Sequence, residues 1–251
     1  LKDLHARDNK VFTGTSSLII ERELAEYESA DSIAVPSSYA AQTFASHGIP
    51  LDKILVNPYG VDLEHFSPTP SHANKRPKIL FVGLVGIRKG VPELLSAFSR
   101  LSSDAELCLI GPLEAGMPEP LQAKVQHLGA VPISELPNHY RSADIFCLPS
   151  WEEGFPLVIL QAMASGLPVV TTDASGAQDI IISGIEGEIV SAGDIDALAQ
   201  ALQCLVEDPV RAQEMGAAAR ARVNDGFDWA SYGSRAYDIY RGLMEERSPS
   251  D

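Results

Sequence analysis

The stretch from residue 145 to residue 171 reads IFCLPSWEEGFPLVILQAMASGLPVVT. Its two ends, 145–148 and 168–171, are short apolar runs of the length of a buried strand. Between them, a mostly apolar segment begins near Phe155-Pro156, where proline suits the first turn of a helix. A strand, a helix and a second strand in this order indicate a unit whose two strands lie parallel in one sheet.

The same alternation of strands and helices extends along most of the chain. Eight short apolar runs predict strands, at 32–35, 53–56, 78–82, 106–110, 126–128, 145–148, 168–171 and 188–190. The clearest helical periodicity covers 194–206, where Asp194 suits the N-cap position. Strands that are apolar throughout are typical of a parallel sheet covered on both faces. We therefore predict an α/β fold with a doubly wound parallel sheet.

A polar segment rich in proline and serine, SPTPSHANKRP at 67–77, predicts a linker. Six of the predicted strands follow it and only two precede it. We expect 1–66 to be the end of a second Rossmann-like domain whose beginning is missing, 78–226 to be the main domain, and 227–251 to be a C-terminal helix. An internal echo, ADSIAVPS at 30–37 and ADIFCLPS at 143–150, favours two related domains.

Composition excludes several classes of function. With 251 residues and a net charge of −15, the chain lacks the basic surface that nucleic-acid binding needs, so any anion site must be local. The histidines and cysteines lack metal-ligand spacing, and we predict no metal site. The three cysteines lie in apolar runs, which predicts buried thiols in a reducing compartment: Cys108, Cys147 and Cys204. No run is long and apolar enough to span a bilayer.

Ligands of doubly wound sheets bind beyond the carboxyl ends of the strands, so the strand–helix junctions are candidate sites. The first junction, FVGLVGIRKGVPELLSAF at 81–98, places Gly83 after a strand and Arg88-Lys89 before a helix. Glycines, cations and free helix N–H groups together suit a diphosphate. The spacing matches neither the Walker loop nor the dinucleotide fingerprint, and a surface loop with solvated cations is an equal alternative.

Two further junctions carry weaker signals. GAVPISELPNHYRSAD at 129–144 offers backbone groups that could contact a flat ring, although an ordinary connection explains it as well. The third junction places the carboxylate of Glu153 before residues 155–157, whose free N–H groups are those of 155 and 157, with Gln161 about one and a half turns into the helix. These groups suit sugar hydroxyls and an anion. The structural alternatives are helix-dipole complementation by Glu153 and a satisfied backbone contact of Gln161.

Together the junctions resemble the donor half of GT4-type retaining glycosyltransferases of the GT-B fold, from about Glu21 to Tyr240. Each motif of that family has a counterpart here: Gly83 with Lys89-Gly90, GAVPISELPNHYRSAD, PSWEEGFPLVILQAMASGLPVV at 149–170, and the crossover NPYGVDLEHFSP at 57–68. Three positions depart from the family pattern: Gln161 replaces a glutamate, Pro156 a glycine and Leu84 an arginine.

The resemblance implies transfer of a sugar from a nucleotide-diphosphate sugar, linked to UDP, GDP or ADP, with retention and without a metal or another cofactor. It assigns the donor sugar to Glu153, the diphosphate to Lys89 and the ribose to Gln161, and Arg88 can supply a second cation. Glu153, Arg88 and Lys89 are the expected catalytic residues. The expected donor-binding positions are Gly83, Arg88, Lys89, Val131, Glu153, Phe155, Pro156, Leu157 and Gln161.

The expected partners are the nucleotide-sugar donor and a missing N-terminal acceptor domain, without which this chain should bind donor but transfer nothing. The resemblance implies a cytoplasmic enzyme, with any weak contact to the inner membrane face made through the missing half. Two alternatives remain open at this point: a non-catalytic nucleotide-sugar binding module, and a sugar-nucleotide epimerase of GT-B architecture.

Overall fold

A parallel pair of strands organises the first part of the chain. The computed structural model describes residues 15–69, 76–120 and 122–246. Its first elements are α1 (Ser17–Ser29), β1 (Ile33–Val35), α2 (Ser38–Ser46) and β2 (Ile54–Val56). β1 and β2 pair in parallel with Ile33 opposite Ile54, over a small core of Val35, Ala41 and Ile54. Two strands alone are marginally stable in water, so this part depends on packing against the rest of the chain.

A six-stranded parallel sheet forms the centre of the molecule. Its strands are β3 (Lys78–Val82), β4 (Glu106–Ile110), β5 (Val125–His127), β6 (Ile145–Leu148), β7 (Val169–Thr172) and β8 (Gly187–Val190). The spatial order is β5-β4-β3-β6-β7-β8. The chain therefore winds outward in both directions from β3 and β6, which are neighbours with Ile79 opposite Ile145. A crevice for ligands forms beyond the carboxyl ends of strands at such a switch point.

Helices cover both faces of this sheet. They are α3 (Val91–Ser99), α4 (Leu136–Arg141), α5 (Leu157–Ala164), α6 (Ile195–Glu207) and α7 (Pro209–Asn224). A further helix, α8 (Trp229–Glu246), follows them in the chain. Strand residues Phe81 and Phe146 are fully buried, as are Ile159 and Met163 of α5. Burial on both faces explains why the strands are apolar throughout.

The prediction of a doubly wound α/β fold is confirmed, and each of the eight predicted strands is present within one residue at either end. The helix predicted at 194–206 is α6, and the Asp194 carboxylate accepts a hydrogen bond from the Ala197 N–H at 2.9 Å. The prediction of buried thiols is wrong for Cys204, which is exposed because it lies on the outer side of α6. Parts of the predicted first domain, linker and tail lie outside the described residues: 1–14, 70–75 and 247–251.

Residues 57–68, the crossover segment, lead from the first part of the chain toward the six-stranded sheet. Three arginines from three helices donate to its backbone carbonyls. Arg141 of α4 binds the Ser67 carbonyl at 3.0 Å, Arg220 of α7 binds that of Phe66 at 2.9 Å, and Arg235 of α8 binds that of Pro58 at 2.8 Å. The crossover segment is thereby attached near both of its ends to helices that follow it in the chain.

Candidate active site

The loops that follow β3 and β6 meet at the switch point of the sheet. Gly90, the N-cap of α3, has a left-handed backbone with φ +69°, and a Cβ atom there would lie 1.9 Å from the Pro149 carbonyl oxygen. Only glycine permits this approach. The Trp151 N–H donates to the Arg88 carbonyl at 2.9 Å and joins the two loops a second time.

Lys89 and Glu153, one from each loop, form an ion pair although they are 64 residues apart in the chain. Only 13% of the lysine side chain and 16% of the glutamate side chain are exposed. Arg88 donates to the Glu152 carbonyl at 3.0 Å and holds its guanidinium 3.8 Å from the Glu153 carboxylate. The fold thus brings two cations and a carboxylate together in a shielded crevice, where charges interact more strongly than in water.

Burial lowers the pKa of Lys89 from 10.5 to about 8, and the positive charge of Arg88 acts in the same direction while Glu152 opposes them. A lysine in this state gains from a further negative charge nearby, because an anion favours the protonated amine. The position therefore suits a group that receives a diphosphate.

The backbone around Glu153 is held on two sides. The Glu153 N–H donates to the Ala174 carbonyl at 3.1 Å, and the Gly176 N–H donates to the Glu153 carbonyl at 3.0 Å. From the first part of the chain, the Ser37 hydroxyl donates to the Gly154 carbonyl at 2.6 Å. These contacts limit the positions that the carboxylate can take.

Gln161 of α5 lies beside a cavity rather than beside the ion pair. Its Oε1 accepts a hydrogen bond from the hydroxyl of the fully buried Tyr140 at 3.0 Å. The cavity has a volume of about 450 Å³ and its wall comes from the crossover segment, α5, α8 and the loop before α4: Gly60, Val61, Asp62, His65, Phe66, Ile133, Leu157, Gln161 and Trp229. Lys89 and Glu153 do not line this cavity; Leu157, four residues beyond Glu153, does.

The remaining predicted positions are Gly83, Phe155, Pro156 and Val131. Gly83 follows β3 and donates its N–H to the Ile110 carbonyl at 2.9 Å. Phe155 is buried, with its ring edge-on to Tyr59 at 5.7 Å. Pro156 is the N-cap of α5 rather than a residue of its first turn, and it brings no N–H to the site. Val131 packs against the core, whereas Ile133, two residues later, lines the cavity.

Several residues of this region were missed in the sequence. Ile133 and Tyr140 lie inside the quoted motif 129–144; its tyrosine is a position of the family pattern, but the pattern gave it no role, and nothing distinguishes Ile133. Ser37 contacts the Glu153 loop from 117 residues away in the chain. The echo of ADSIAVPS and ADIFCLPS was its one available signal, because it places Ser37 and Ser150 at equivalent strand exits.

Residues 15–69, 76–120 and 122–246 contain neither a candidate metal-binding cluster nor a candidate membrane-spanning helix. Within those ranges, no three side chains of the His, Cys, Asp and Glu types are grouped so that they could hold a metal ion. Over the same described residues, every helix is too short or too polar to cross a bilayer.

The chain is similar in sequence to known glycosyltransferases. The chain is 31% identical over 248 residues to a GDP-mannose-dependent alpha-(1-6)-phosphatidylinositol monomannoside mannosyltransferase of Mycolicibacterium smegmatis, which covers 87% of this chain and 64% of the relative. It is 35% identical over 185 residues to an alpha-maltose-1-phosphate synthase of the same organism. That alignment covers 66% of this chain and 48% of the synthase.

Solved structures share the fold. Sucrose-phosphate synthase from Thermosynechococcus elongatus matches with a TM-score of 0.80 and 26% identity over 92% of this chain and 63% of that one. Anabaena HepE in complex with UDP and glucose matches with a TM-score of 0.80 and 21% identity over 90% and 66%. At 21% identity, the match to HepE supports a shared fold only.

This chain spans less than two thirds of the mannosyltransferase and of the sucrose-phosphate synthase that it resembles. The match to the family itself is direct, because the sequence model described as glycosyl transferases group 1 covers residues 64–222, which include the Lys89 loop, the Glu153 loop and α5. The chain therefore belongs to the glycosyl transferases group 1 family.

Proposed function

We propose that this chain is the donor-binding part of a retaining, metal-independent glycosyltransferase that takes its sugar from a nucleotide-diphosphate sugar. The observation that carries the proposal is the convergence of Lys89 and Arg88 on Glu153 at the switch point of the sheet. Two cations beside a carboxylate suit a ligand that joins a diphosphate to a polyol, since the cations bind the former and the carboxylate accepts from the latter.

In this proposal Lys89 leaves its ion pair with Glu153 and binds the arriving diphosphate. The freed Glu153 carboxylate then accepts hydrogen bonds from the donor sugar. Negative charge grows on the diphosphate as the bond to the anomeric carbon breaks. Lys89 and Arg88 stabilise that charge, so no metal ion is needed. Gln161 contacts the ribose, and the cavity of about 450 Å³ beside it accommodates the nucleoside.

Residues 78–226 are the donor-binding domain in this assignment, 1–66 the end of an acceptor domain, 67–77 a linker and 227–251 the C-terminal segment, whose helix α8 (Trp229–Glu246) packs on the crossover segment. The free cysteines suit a reducing compartment and hence the cytoplasm. Contact with the acceptor, and any peripheral contact with the inner membrane face, is assigned to residues outside this chain.

A thermal-shift panel tests donor binding. UDP, GDP, ADP and their sugars are added separately, and at least one series should raise the melting temperature, since a ligand that binds the folded state stabilises it. Lys89→Ala should lose most of that shift. The matched control is Arg100→Ala, which removes one positive charge at the far end of α3, where Arg100 pairs with Asp196 on the surface. An undiminished shift in Lys89→Ala would remove the lysine from the phosphate site.

A second candidate function is a nucleotide-sugar binding module without transferase activity. Two observations favour it: the Gln161 amide oxygen is already engaged by Tyr140, and Pro156 supplies no N–H at the start of α5. Comparing transfer by the full-length protein with that of its Gln161→Glu variant separates the two candidates. Activity in the natural protein supports the transferase, whereas activity only in the variant supports the binding module.

A further inference from the structure

The first turn of α2 contacts the loops that carry the candidate site, although α2 belongs to the other part of the chain. Ser37 is fully buried, and its hydroxyl donates to the Gly154 carbonyl at 2.6 Å while accepting from the Ala40 N–H at 3.0 Å. The one side chain thus caps α2 and binds the carbonyl of Gly154, the residue after Glu153.

A second contact lies one residue further along α2. The Ser38 N–H donates to the Asp179 carboxylate at 2.6 Å, and the Ser38 hydroxyl donates to its other oxygen. Asp179 ends the short helical turn 176–179 that follows β7. A carboxylate at a helix N-terminus is favoured by the helix dipole and makes charge-assisted hydrogen bonds. This contact therefore fastens the 176–179 turn to α2.

The fit between the two parts is close. A Cβ atom at Gly176 would lie 2.6 Å from the Ser37 Cβ and 2.2 Å from the Gly154 carbonyl oxygen. The Gly176 N–H in turn donates to the Glu153 carbonyl at 3.0 Å. Ser37, Gly176 and the Glu153 loop therefore form one packed unit, in which a change at Ser37 reaches Glu153 through two backbone contacts.

We propose that Ser37 and Asp179 are positioning residues that hold the Glu153 loop in the geometry needed to bind the donor sugar. We call these two contacts, of Ser37 with Gly154 and of Ser38 with Asp179, the clasp. The inference rests on the proposed role of Glu153 in sugar binding. The clasp makes sugar recognition depend on contact between the two parts of the chain, whereas diphosphate binding by Lys89 and Arg88 needs only the donor-binding domain.

Hydrogen exchange measured by mass spectrometry tests the clasp without any ligand. In Ser37→Ala, the amides of Glu153 and Gly176 should exchange faster, because the loop that they anchor loses one of its supports. The control is Asp208→Ala, which also removes an N-cap but lies at the start of α7, near the amino ends of the strands. Unchanged exchange in Ser37→Ala overturns the proposal, whatever the ligand results.

Titration calorimetry then tests the link to the sugar, with UDP and GDP compared with UDP-glucose and GDP-mannose. Ser37→Ala should weaken binding of the sugar-bearing ligand by about 3- to 10-fold, the usual effect of one hydrogen bond, and leave the bare nucleotide within about twofold. Ser38→Ala and Asp179→Asn, which keep the Ser37 cap, should act in the same direction. Equal losses for both ligands would indicate a general structural role and contradict the proposal.

The two proposals fail in different ways. If the natural chain binds none of these nucleotides or their sugars, the donor-binding function fails while the exchange result still decides the clasp. If the natural chain prefers the sugar-bearing ligand and Ser37→Ala keeps that preference, the function stands and the clasp is wrong.

Discussion

Single residues set the electrostatics of the candidate site. Lys89 is mostly shielded and lies beside Arg88, so burial and like charge both disfavour its protonated form. Glu153 offsets part of this cost through the ion pair. A buried pair of this kind is weak evidence for stability, because the desolvation of both groups opposes their attraction. Its position at the switch point agrees better with a role in binding.

The lowered pKa of Lys89 predicts a pH dependence of binding. Below about pH 8 the amine is charged before the ligand arrives, whereas above it the protein must take up a proton to bind a diphosphate. The affinity for UDP or GDP should therefore fall as pH rises through about 8, by up to roughly tenfold per pH unit. Calorimetry in buffers of different ionisation heat measures both the affinity and the proton uptake.

Lys89→Arg is the control for this dependence, since a guanidinium stays charged throughout that range. The pH dependence should disappear in the variant even if its affinity is lower. Stability should change in the opposite sense: the unfolded lysine keeps the higher pKa of 10.5, so the free energy of unfolding rises between about pH 8 and 10.5. A steep loss of affinity that persists in Lys89→Arg would assign the titration to another group.

At the scale of a single helix, one side chain fixes the position of α8. α8 follows the main domain in sequence but packs on the crossover segment through Arg235. Its guanidinium donates to the Asn57 side chain at 3.0 Å and to the carbonyls of Gly226 and Pro58 at 2.6 and 2.8 Å. The helix otherwise exposes large side chains, with Tyr240 63% and Trp229 48% exposed.

Arg235→Ala should therefore destabilise the chain by about 2 kcal/mol, since charged hydrogen bonds are lost and buried partners are left unsatisfied. Arg241→Ala on the same helix is the matched control. Arg241 is 57% exposed and pairs with Asp238 on the surface, so its loss should stay within about 0.5 kcal/mol. Denaturant unfolding measures both, and equal effects would show that α8 is not held by Arg235.

At the scale of the whole molecule, the crossover segment joins two parts that differ greatly in size. Arg220 of α7 donates to the carbonyls of Leu63 and Phe66 in the crossover segment and to that of Ala164 at the end of α5. One guanidinium thus connects the crossover segment to the helix that carries Gln161. Because the small first part cannot stand alone, we expect both parts to unfold together.

Arg220→Met tests that coupling. It removes three hydrogen bonds to carbonyls and should cost roughly 2–4 kcal/mol. In the natural chain, tryptophan fluorescence and far-ultraviolet circular dichroism should report one coincident transition. Arg211→Met, on the same helix but in a surface ion pair with Glu188, should change stability by less than about 1 kcal/mol. Two separate transitions in the natural chain would contradict the expectation.

The sequence by itself determined the strands, most helices and the positions of the candidate loops. These follow from local causes: apolar runs bounded by glycine and proline, the Asp194 cap, and glycines and cations at strand exits. Such signals act within a few residues along the chain, so they can be read without knowing the sheet order.

Only the tertiary structure decided which of these loops meet. The pairing of Lys89 with Glu153, the contact of Tyr140 with Gln161 and the approach of Ser37 to Gly154 join residues 64, 21 and 117 positions apart. Each depends on β3 lying beside β6 and on the crossover segment returning along α5. No local pattern encodes these choices, because they result from the packing of the whole sheet and its helices.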